Sequence, residues 1–473
     1  MERDFSICYN TYIVEEDEKG SSMEQHGFIP NQIELRRDEV QASLLSWKEN
    51  RHETVLQVEG PRQVGKTHEI RKFVYANYQQ VIFVNLVRDE FGFEDSLSNR
   101  NFMEQYCREA GLEPFRDDET TVLVIDEIQE RPEVYNAIRD LRNWLSCDII
   151  VSGSYLARTV KSKDFFLPAG IAYFRMYPLS FREFCRALDL EDAYQKISPY
   201  GDGEKSVYDS LLKAYEIYRH IGGYPEVVTT YLKSRDEGAC LDVLEGLVRT
   251  FTEESSRFFS NSTAHMIFNE AYRATFMQMA NEKRGTGKGS IEDMTDFVKE
   301  SVKEPVSRNE VRQAASWLSY SGIIGFCDLY NNGDVADVIE DRRAYFTDNG
   351  IAYYISTLVT ALNNTVEGML TENFAYTELS RLYEMPVSRK RIKGNKPCFS
   401  VCGSYELDFM VVDKQDKVTG VEVKNSNNKA RSLSYYKEKG LIDRGIKAIP
   451  AQGGRDGEID TIPIYLLGRE DIL

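Results

Sequence analysis

Short apolar runs alternating with helical patterns predict an α/β protein whose first part is built on a parallel sheet. A glycine-rich turn follows the first run, and a pair of acids closes the third. The runs are Val55 to Glu59, Val81 to Asn85, Val122 to Asp126 and Asp148 to Ser152, with a fifth strand expected over Tyr173 to Leu179. Such runs suit strands covered on both faces by helices, because a fully buried strand needs no polar side. From about 185 to 300 the pattern turns helical and is broken once, at Gly222-Gly223-Tyr224-Pro225. A helix, a turn and two strands follow over 305–350, opened by Ser307 and Glu310 at capping-box spacing. From about 363 the pattern is a helix, a strand hairpin over Glu406–Val412 and Val418–Lys424, another helix and a last strand near Ile464. The segments are therefore a polar lead (1–30), a parallel-sheet core (31–185), a helical region (186–300), a helix-and-ribbon module (301–362) and a C-terminal α/β domain (363–473).

Composition narrows the class. The chain of 473 residues is too long for one ordinary core, and its apolar share of 42% with 28% charged residues is that of a globular protein. No apolar run reaches the roughly 18 residues that cross a bilayer. The first residues are acidic and lack the apolar core of a secretory signal. Eight scattered cysteines form no CxxC pair, and no histidine lies near Cys398 and Cys402, so zinc lacks a ligand set and a reduced, cytoplasmic setting is expected. A net charge of −18 argues against a surface coated in nucleic acid, while leaving room for a local basic groove.

The turn Gly60-Pro61-Arg62-Gln63-Val64-Gly65-Lys66-Thr67 fits G-x-x-x-x-G-K-[ST] and lies between a predicted strand and a predicted helix. Glycines let the backbone curl so that its amides converge on phosphate oxygens, and the helix N-terminus adds a favourable dipole. The loop and the following His68 are thus the predicted nucleotide-binding set, with Lys66 on the outer phosphates and Thr67 on magnesium. Asp126 and Glu127 end a buried strand. Asp126 is expected to hold the metal and Glu127 to orient or deprotonate the attacking water, which points to ATP hydrolysis. Ser152 and Ser154, closing the next strand, are placed either to touch the γ-phosphate and its water or to cap a helix.

GPRQVGKT, VLVIDEIQERPEV, IIVSGSYLA, MYPLSFREF and GGYPEVV, in this order, resemble a prokaryotic family of AAA-type ATPases that carry an uncharacterised C-terminal region. The resemblance spans about 33–470. It implies a P-loop core of strand order 5-1-4-3-2, a helical lid and a winged helix, with Gly223 to Pro225 as a lid turn near the adenine. A plain helix break is the rival reading of that turn. Many relatives have Gly-Arg before the fifth strand where this chain has Gly170-Ile171, so no arginine finger is assigned and Arg158 and Arg175 are only candidates.

If Val412 pairs with Val418 across the DKQDK turn, Asp408 faces Glu422, Glu406 faces Lys424, and alternation puts all four on one face. Asp408 and Glu422 would then hold magnesium while Lys424 helps generate hydroxide, an arrangement suited to a phosphodiesterase. Cross-strand ion pairs on a solvated hairpin are the alternative. The pattern resembles the core of restriction-endonuclease-like nucleases, although Leu407-Asp408 stands where their motif has Pro-Asp. In that fold an acid from the preceding helix joins the site, which implies Glu372 or Glu378, with Glu372 taken as the further metal ligand. Arg308, Arg312, Arg342 and Arg343 of the helix-and-ribbon module are few for a DNA-reading surface.

The leading reading is therefore an ATP-hydrolysing switch coupled to a nuclease-like domain that binds or cuts DNA or RNA, with ATP and Mg2+ as cofactors. The alternative is an ATP-gated regulator or scaffold whose inactive C-terminal domain binds a protein partner. No membrane partner is expected, and a homo-oligomer is left open.

Overall fold

A computed structural model describes residues 11–13, 33–50, 55–97, 101–154, 171–257, 264–285, 287, 289–331, 334–336, 343–359, 365–384, 397–413, 417–426 and 428–473. They fall into two compact units, Met1–Met176 and Tyr177–Leu473.

The first unit is a six-stranded sheet of β1 (Thr11–Ile13), β2 (Val55–Glu59), β3 (Gln80–Asn85), β4 (Thr121–Asp126), β5 (Asp148–Gly153) and β6 (Ile171–Arg175). Its order is β1-β3-β4-β5-β2-β6, parallel throughout from β2 to β6, with β1 antiparallel on the edge. Within the five parallel strands this is the order that the AAA resemblance implies. Ile82, Val84, Leu123, Ile125 and Val151 pack with Phe102, Tyr106 and Ile138. Side chains of this kind contribute about 1.5–3 kcal/mol each when fully buried. The helices Lys66–Asn77 and Pro132–Trp144 follow β2 and β4, so the phosphate loop and the acidic pair come to one end of the sheet.

The fifth parallel strand differs from its expected span. It runs from Ile171 to Arg175 instead of Tyr173 to Leu179. Met176 N still donates to Glu59 O at 2.7 Å, but Pro178 has no amide to continue the ladder, and Ser180 caps the helix Phe181–Ala187. Arg158 and Gly170 lie outside the described residues.

Among the described residues of the second unit, the helices Lys205–Ile221, Pro225–Ser234, Glu237–Arg257, Ala264–Arg284 and Ser290–Ser301 follow one another along the chain. The helix Arg308–Tyr320 follows, with the capping box formed between Ser307 and Glu310. A nine-stranded mixed sheet comprises β7 (Ile324–Asn331), β8 (Asp334–Ala336), β9 (Arg343–Phe346), β10 (Cys398–Cys402), β11 (Tyr405–Val412), β12 (Val418–Val423), β13 (Arg444–Ile449), β14 (Gly454–Asp456) and β15 (Ile459–Pro463). Its order is β14-β15-β13-β12-β11-β10-β7-β8, and β9 pairs with β7. The ribbon read as part of a winged helix thus continues the C-terminal sheet, because β7 pairs in parallel with β10. The helices Val366–Glu384 and Arg431–Glu438 stand before β10 and after β12. The last strand expected near Ile464 is β15, and Ile464 itself starts a short 3-10 turn directly after it.

Cys398 is buried, Cys402 is half-buried, and both are free thiols. No helix among the described residues is long and apolar enough to cross a membrane.

Candidate nucleotide site and C-terminal acidic centre

Gly60 leaves β2 at a φ of 152°, and Gly65 adopts a left-handed φ of 91° immediately before the helix Lys66–Asn77. A Cβ on Gly60 would stand 2.2 Å from Met176 O, so only glycine lets β2 and the segment after β6 approach there. Lys66 is buried, and its Nζ donates to Gly60 O at 3.0 Å, Pro61 O at 2.8 Å and Ser154 Oγ at 3.0 Å. Burial lowers its pKa to about 8, against the opposing pull of Glu127 and Asp126.

Thr67 Oγ1 donates to Asp126 Oδ2 at 3.0 Å, Asn85 Nδ2 donates to the same oxygen at 3.3 Å, and Ser152 Oγ donates to Asp126 Oδ1 at 2.5 Å. A hydroxyl beside an oriented carboxylate is a hard-oxygen donor set suited to magnesium, and the cradle and buried lysine suit a polyphosphate. Glu127 is a non-glycine residue in the left-handed region, at a φ of 55°, and its Oε2 accepts from Gln129 Nε2 at 2.6 Å. Strain of this kind persists where the surroundings hold a residue to a task. Arg62 is half-buried, Gln63 and His68 are exposed and Val64 is buried. Arg175 pairs with Glu59 at 3.2 Å.

Pro225 lies in the second unit, at the start of the helix Pro225–Ser234. The turn before it is fixed locally. Gly223 O accepts from Leu179 N at 2.7 Å, and Gly223 N donates to Asp348 Oδ2 at 2.7 Å.

In the C-terminal sheet the hairpin register is the expected one over Phe409↔Val421, Met410↔Gly420, Val411↔Thr419 and Val412↔Val418. Strict alternation nevertheless fails at Asp408. Between the pairs Cys398↔Met410 and Ser400↔Leu407, β11 spends one more residue than β10, which places a bulge at Asp408–Phe409. Leu407 and Met410 consequently share a cluster with Leu433 although they are an odd number of positions apart. Asp408 Oδ2 accepts from Val423 N at 2.7 Å. Burial, then the neighbouring charge of Glu372, raises its pKa to about 6, opposed by Lys283, the Val423 amide and Lys424.

The four hairpin charges do not form one cross-strand set. Glu406 pairs with Arg343 at 2.8 Å, whereas Lys424 pairs with Glu422 at 2.7 Å. The β11–β12 pairs run only from Val412↔Val418 to Phe409↔Val421, so Glu406 and Lys424 lie beyond the paired stretch. Glu422 is buried, and its Oε2 also accepts from Leu433 N at 3.4 Å.

Glu372 and Glu378 separate sharply. Glu378 pairs with Arg381 at 2.6 Å and accepts from Phe181 N at 3.3 Å, which removes it from the centre. Glu372 Oε1 accepts from Tyr345 Oη at 2.7 Å and Oε2 from Lys283 Nζ at 2.6 Å. Burial would raise the Glu372 pKa, but Lys283, Arg343 and these hydrogen bonds outweigh it and hold the acid below its ordinary value. Glu372 is therefore already committed to a protein cation. Among the described residues no three His, Cys, Asp or Glu side chains gather as a metal-holding group.

Arg343 is not a surface base either. It is buried, pairs with Glu406 and lies 4.1 Å over the Phe399 ring. Arg308 and Arg312 are exposed, and Arg342 lies outside the described residues. Sequence reasoning missed Asn85, Gln129, Lys283 and Tyr345. Asn85 carried a usable signal, a polar residue closing a buried strand beside the one that ends in Asp126. Lys283 carried none, since it is distant in sequence from every acid it meets.

Residues 52–185 match the AAA domain family. Residues 212–363 match a family described as a domain of unknown function, DUF8612. No curated protein matches the chain. Among solved structures the chain is similar to a Walker-type ATPase of Pyrococcus abyssi, at 16% identity and a TM-score of 0.43, over 68% of this chain and 96% of that one. It is also similar to the Orc1 protein of Aeropyrum pernix, solved in complex with DNA, at 13% identity and a TM-score of 0.27, over 73% of this chain and 95% of that one. The stretch that carries the phosphate loop and the acidic pair is an AAA domain, and a domain of unknown function follows it.

Proposed function

We propose that this protein binds ATP with magnesium in its AAA domain and hydrolyses it as a molecular switch. The observation that carries the reading is the network in which Thr67 and Ser152 orient the two oxygens of Asp126 while buried Lys66 lies in the loop. The loop amides and Lys66 hold the phosphates, and Thr67 with Asp126 holds the metal, which neutralises charge on the phosphates when bound. Glu127, fixed by Gln129, orients and deprotonates the water. Ser152 and Ser154 keep Asp126 and Lys66 in place. Lys66→Ala should abolish ATP binding in a calorimetric titration and leave the fold intact, and unchanged affinity would overturn the assignment.

We read 186–300 as a lid, 301–362 as a winged-helix-like module and 363–473 as a nuclease-like domain acting on DNA or RNA. The order helix, β10, β11, β12, helix, β13, with β12 and β13 parallel, supports that last reading. So does the influence of the Glu372 charge on Asp408, whose pKa it helps to raise. Divalent metal at Asp408 would supply charge stabilisation for phosphodiester cleavage. Cutting of labelled DNA or RNA that Lys424→Ala abolishes would establish it. The scaffold reading draws on a different observation, that Glu372 and Glu422 are each already paired with a lysine. Binding of a protein partner without any cutting would favour it.

A further inference from the structure

Arg37 stands immediately before the helix Asp38–Glu49, and the residue is buried, only 4% exposed. Its Nη1 donates to Val64 O at 3.0 Å, within the phosphate loop. Four residues on, Gln41 Nε2 donates to Glu69 O at 3.1 Å and to Glu69 Oε2 at 2.5 Å, and Glu34 pairs with Lys72. The stretch from Glu34 to Gln41 is thus tied to the loop and to the first two turns of the helix Lys66–Asn77. Of these three ties, the one from Arg37 reaches the loop itself.

That bond bears on the loop's donors. A trans peptide is planar, with its carbonyl and its amide pointing opposite ways. Val64 O and Gly65 N belong to one peptide, so a carbonyl held by Arg37 turns the Gly65 amide to the opposite side. Gly65 opens the helix in a left-handed conformation, at a φ of 91°, and Glu69 N donates to Gly65 O at 3.0 Å. Amides ahead of Glu69 therefore have no acceptor one turn back in the helix, and such amides take phosphate oxygens. A guanidinium also polarises the peptide it holds, which strengthens the amide at the other end. Burial of a charge is costly unless it is paired and bonded, so a side chain that served packing alone would do better without one.

We propose that Arg37 is a positioning residue for the nucleotide, holding the Val64 carbonyl so that the Gly65 amide is aimed at the inner phosphates of ATP. The inference rests on the ATP reading given under Proposed function and adds a residue that lies outside the phosphate loop. Loop amides cradle the inner phosphates, whereas Lys66 reaches the outer ones. Loss of Arg37 should thus fall equally on ATP and ADP. It should leave the chemical step, which Glu127 carries, nearly untouched.

Calorimetric titrations with ATP and with ADP, each with Mg2+, and steady-state turnover test this on full-length parent, Arg37→Met, Arg37→Lys and Gln41→Met, well below each melting midpoint. Arg37→Met should bind both nucleotides about tenfold more weakly, the scale of a lost charge-assisted hydrogen bond. At saturating ATP its kcat should stay within about threefold of the parent's, the signature of lost uniform binding. Arg37→Lys keeps a charged donor on a shorter reach and should fall between the two. Gln41→Met loosens the same stretch without touching the loop and should bind both nucleotides as the parent does. Unchanged affinity in Arg37→Met would overturn the inference. So would a kcat that falls together with affinity, or an equal loss in Gln41→Met, since either marks general loosening of the site. If Arg37→Met does not fold, Arg37→Lys decides: about threefold weaker binding of both nucleotides with kcat kept upholds the inference, and parent-like binding overturns it. A parent that binds neither nucleotide removes the ATP reading itself, and the inference with it.

Discussion

Thr67 Oγ1 and Asp126 Oδ2 lie 3.0 Å apart, joining the first turn of a helix to the end of β4. Ser152 holds the other carboxylate oxygen from β5. An amide at position 126 would present an NH2 group to one of these hydroxyls and reduce the metal-binding charge. Asp126→Asn should therefore raise the Mg2+ concentration needed for half-maximal ATP turnover by about 10–100-fold, the usual scale when a metal shell is disturbed. A magnesium titration of ATP hydrolysis measures it, and a superimposable curve would remove Asp126 from the metal site.

Lys66 has its pKa lowered to about 8, first by burial. Bound phosphate favours the ammonium and raises that value again, so above about pH 8 the free protein has lost a proton that the complex holds. Binding of ATP should then take up close to one proton, and affinity should fall as pH rises. Calorimetry in buffers of different ionisation enthalpy reads the uptake directly. Proton release, or none, would contradict the burial of Lys66 in the free protein.

A methyl group on Gly60 would meet Met176 O at 2.2 Å, and a backbone carbonyl has little freedom to move aside. Gly60→Ala should cost about 1–3 kcal/mol of stability, the scale of overpacking in a closed region. It should weaken ATP binding as well, because the loop that carries the phosphate-facing amides is displaced. Denaturant melts and a nucleotide titration test both effects.

Asp408 has its pKa raised to about 6 by burial and by Glu372. Between the ordinary carboxylate value and this one, the folded chain holds more protons than the unfolded chain. Stability contributed by the protonated form is present at low pH and is lost as pH rises through about 6. Asp408→Asn cannot ionise, so it should gain on the parent by on the order of 1–2 kcal/mol between about pH 4 and pH 7. Denaturant melts at the two pH values check the sign.

The local part of this design was legible in the sequence. The phosphate loop, Asp126 and the parallel strands were readable because each is a run of adjacent residues whose chemistry and periodicity coincide. The hairpin register was readable too, since one short turn sets it. What alternation failed to give was the face of Asp408, because a bulge depends on how β10 and β11 pair and leaves no mark in β11 alone. Arg343 looked like a surface base, yet Glu406, Glu282 and the Phe399 ring enclose it. Lys283 was illegible for the same reason, since its partner Glu372 is brought to it only by the tertiary fold.

Glu127 carries the central claim, that the AAA domain turns ATP over. Its carboxylate is held by Gln129 at 2.6 Å, and glutamine at position 127 keeps the shape of the side chain while removing the base. Steady-state phosphate release by the parent and by Glu127→Gln, alongside a nucleotide-binding titration of each, is the most direct measurement. The account predicts unchanged ATP affinity with hydrolysis slowed at least about 100-fold, the scale of a lost general base. Hydrolysis by Glu127→Gln at the parent's rate would contradict it.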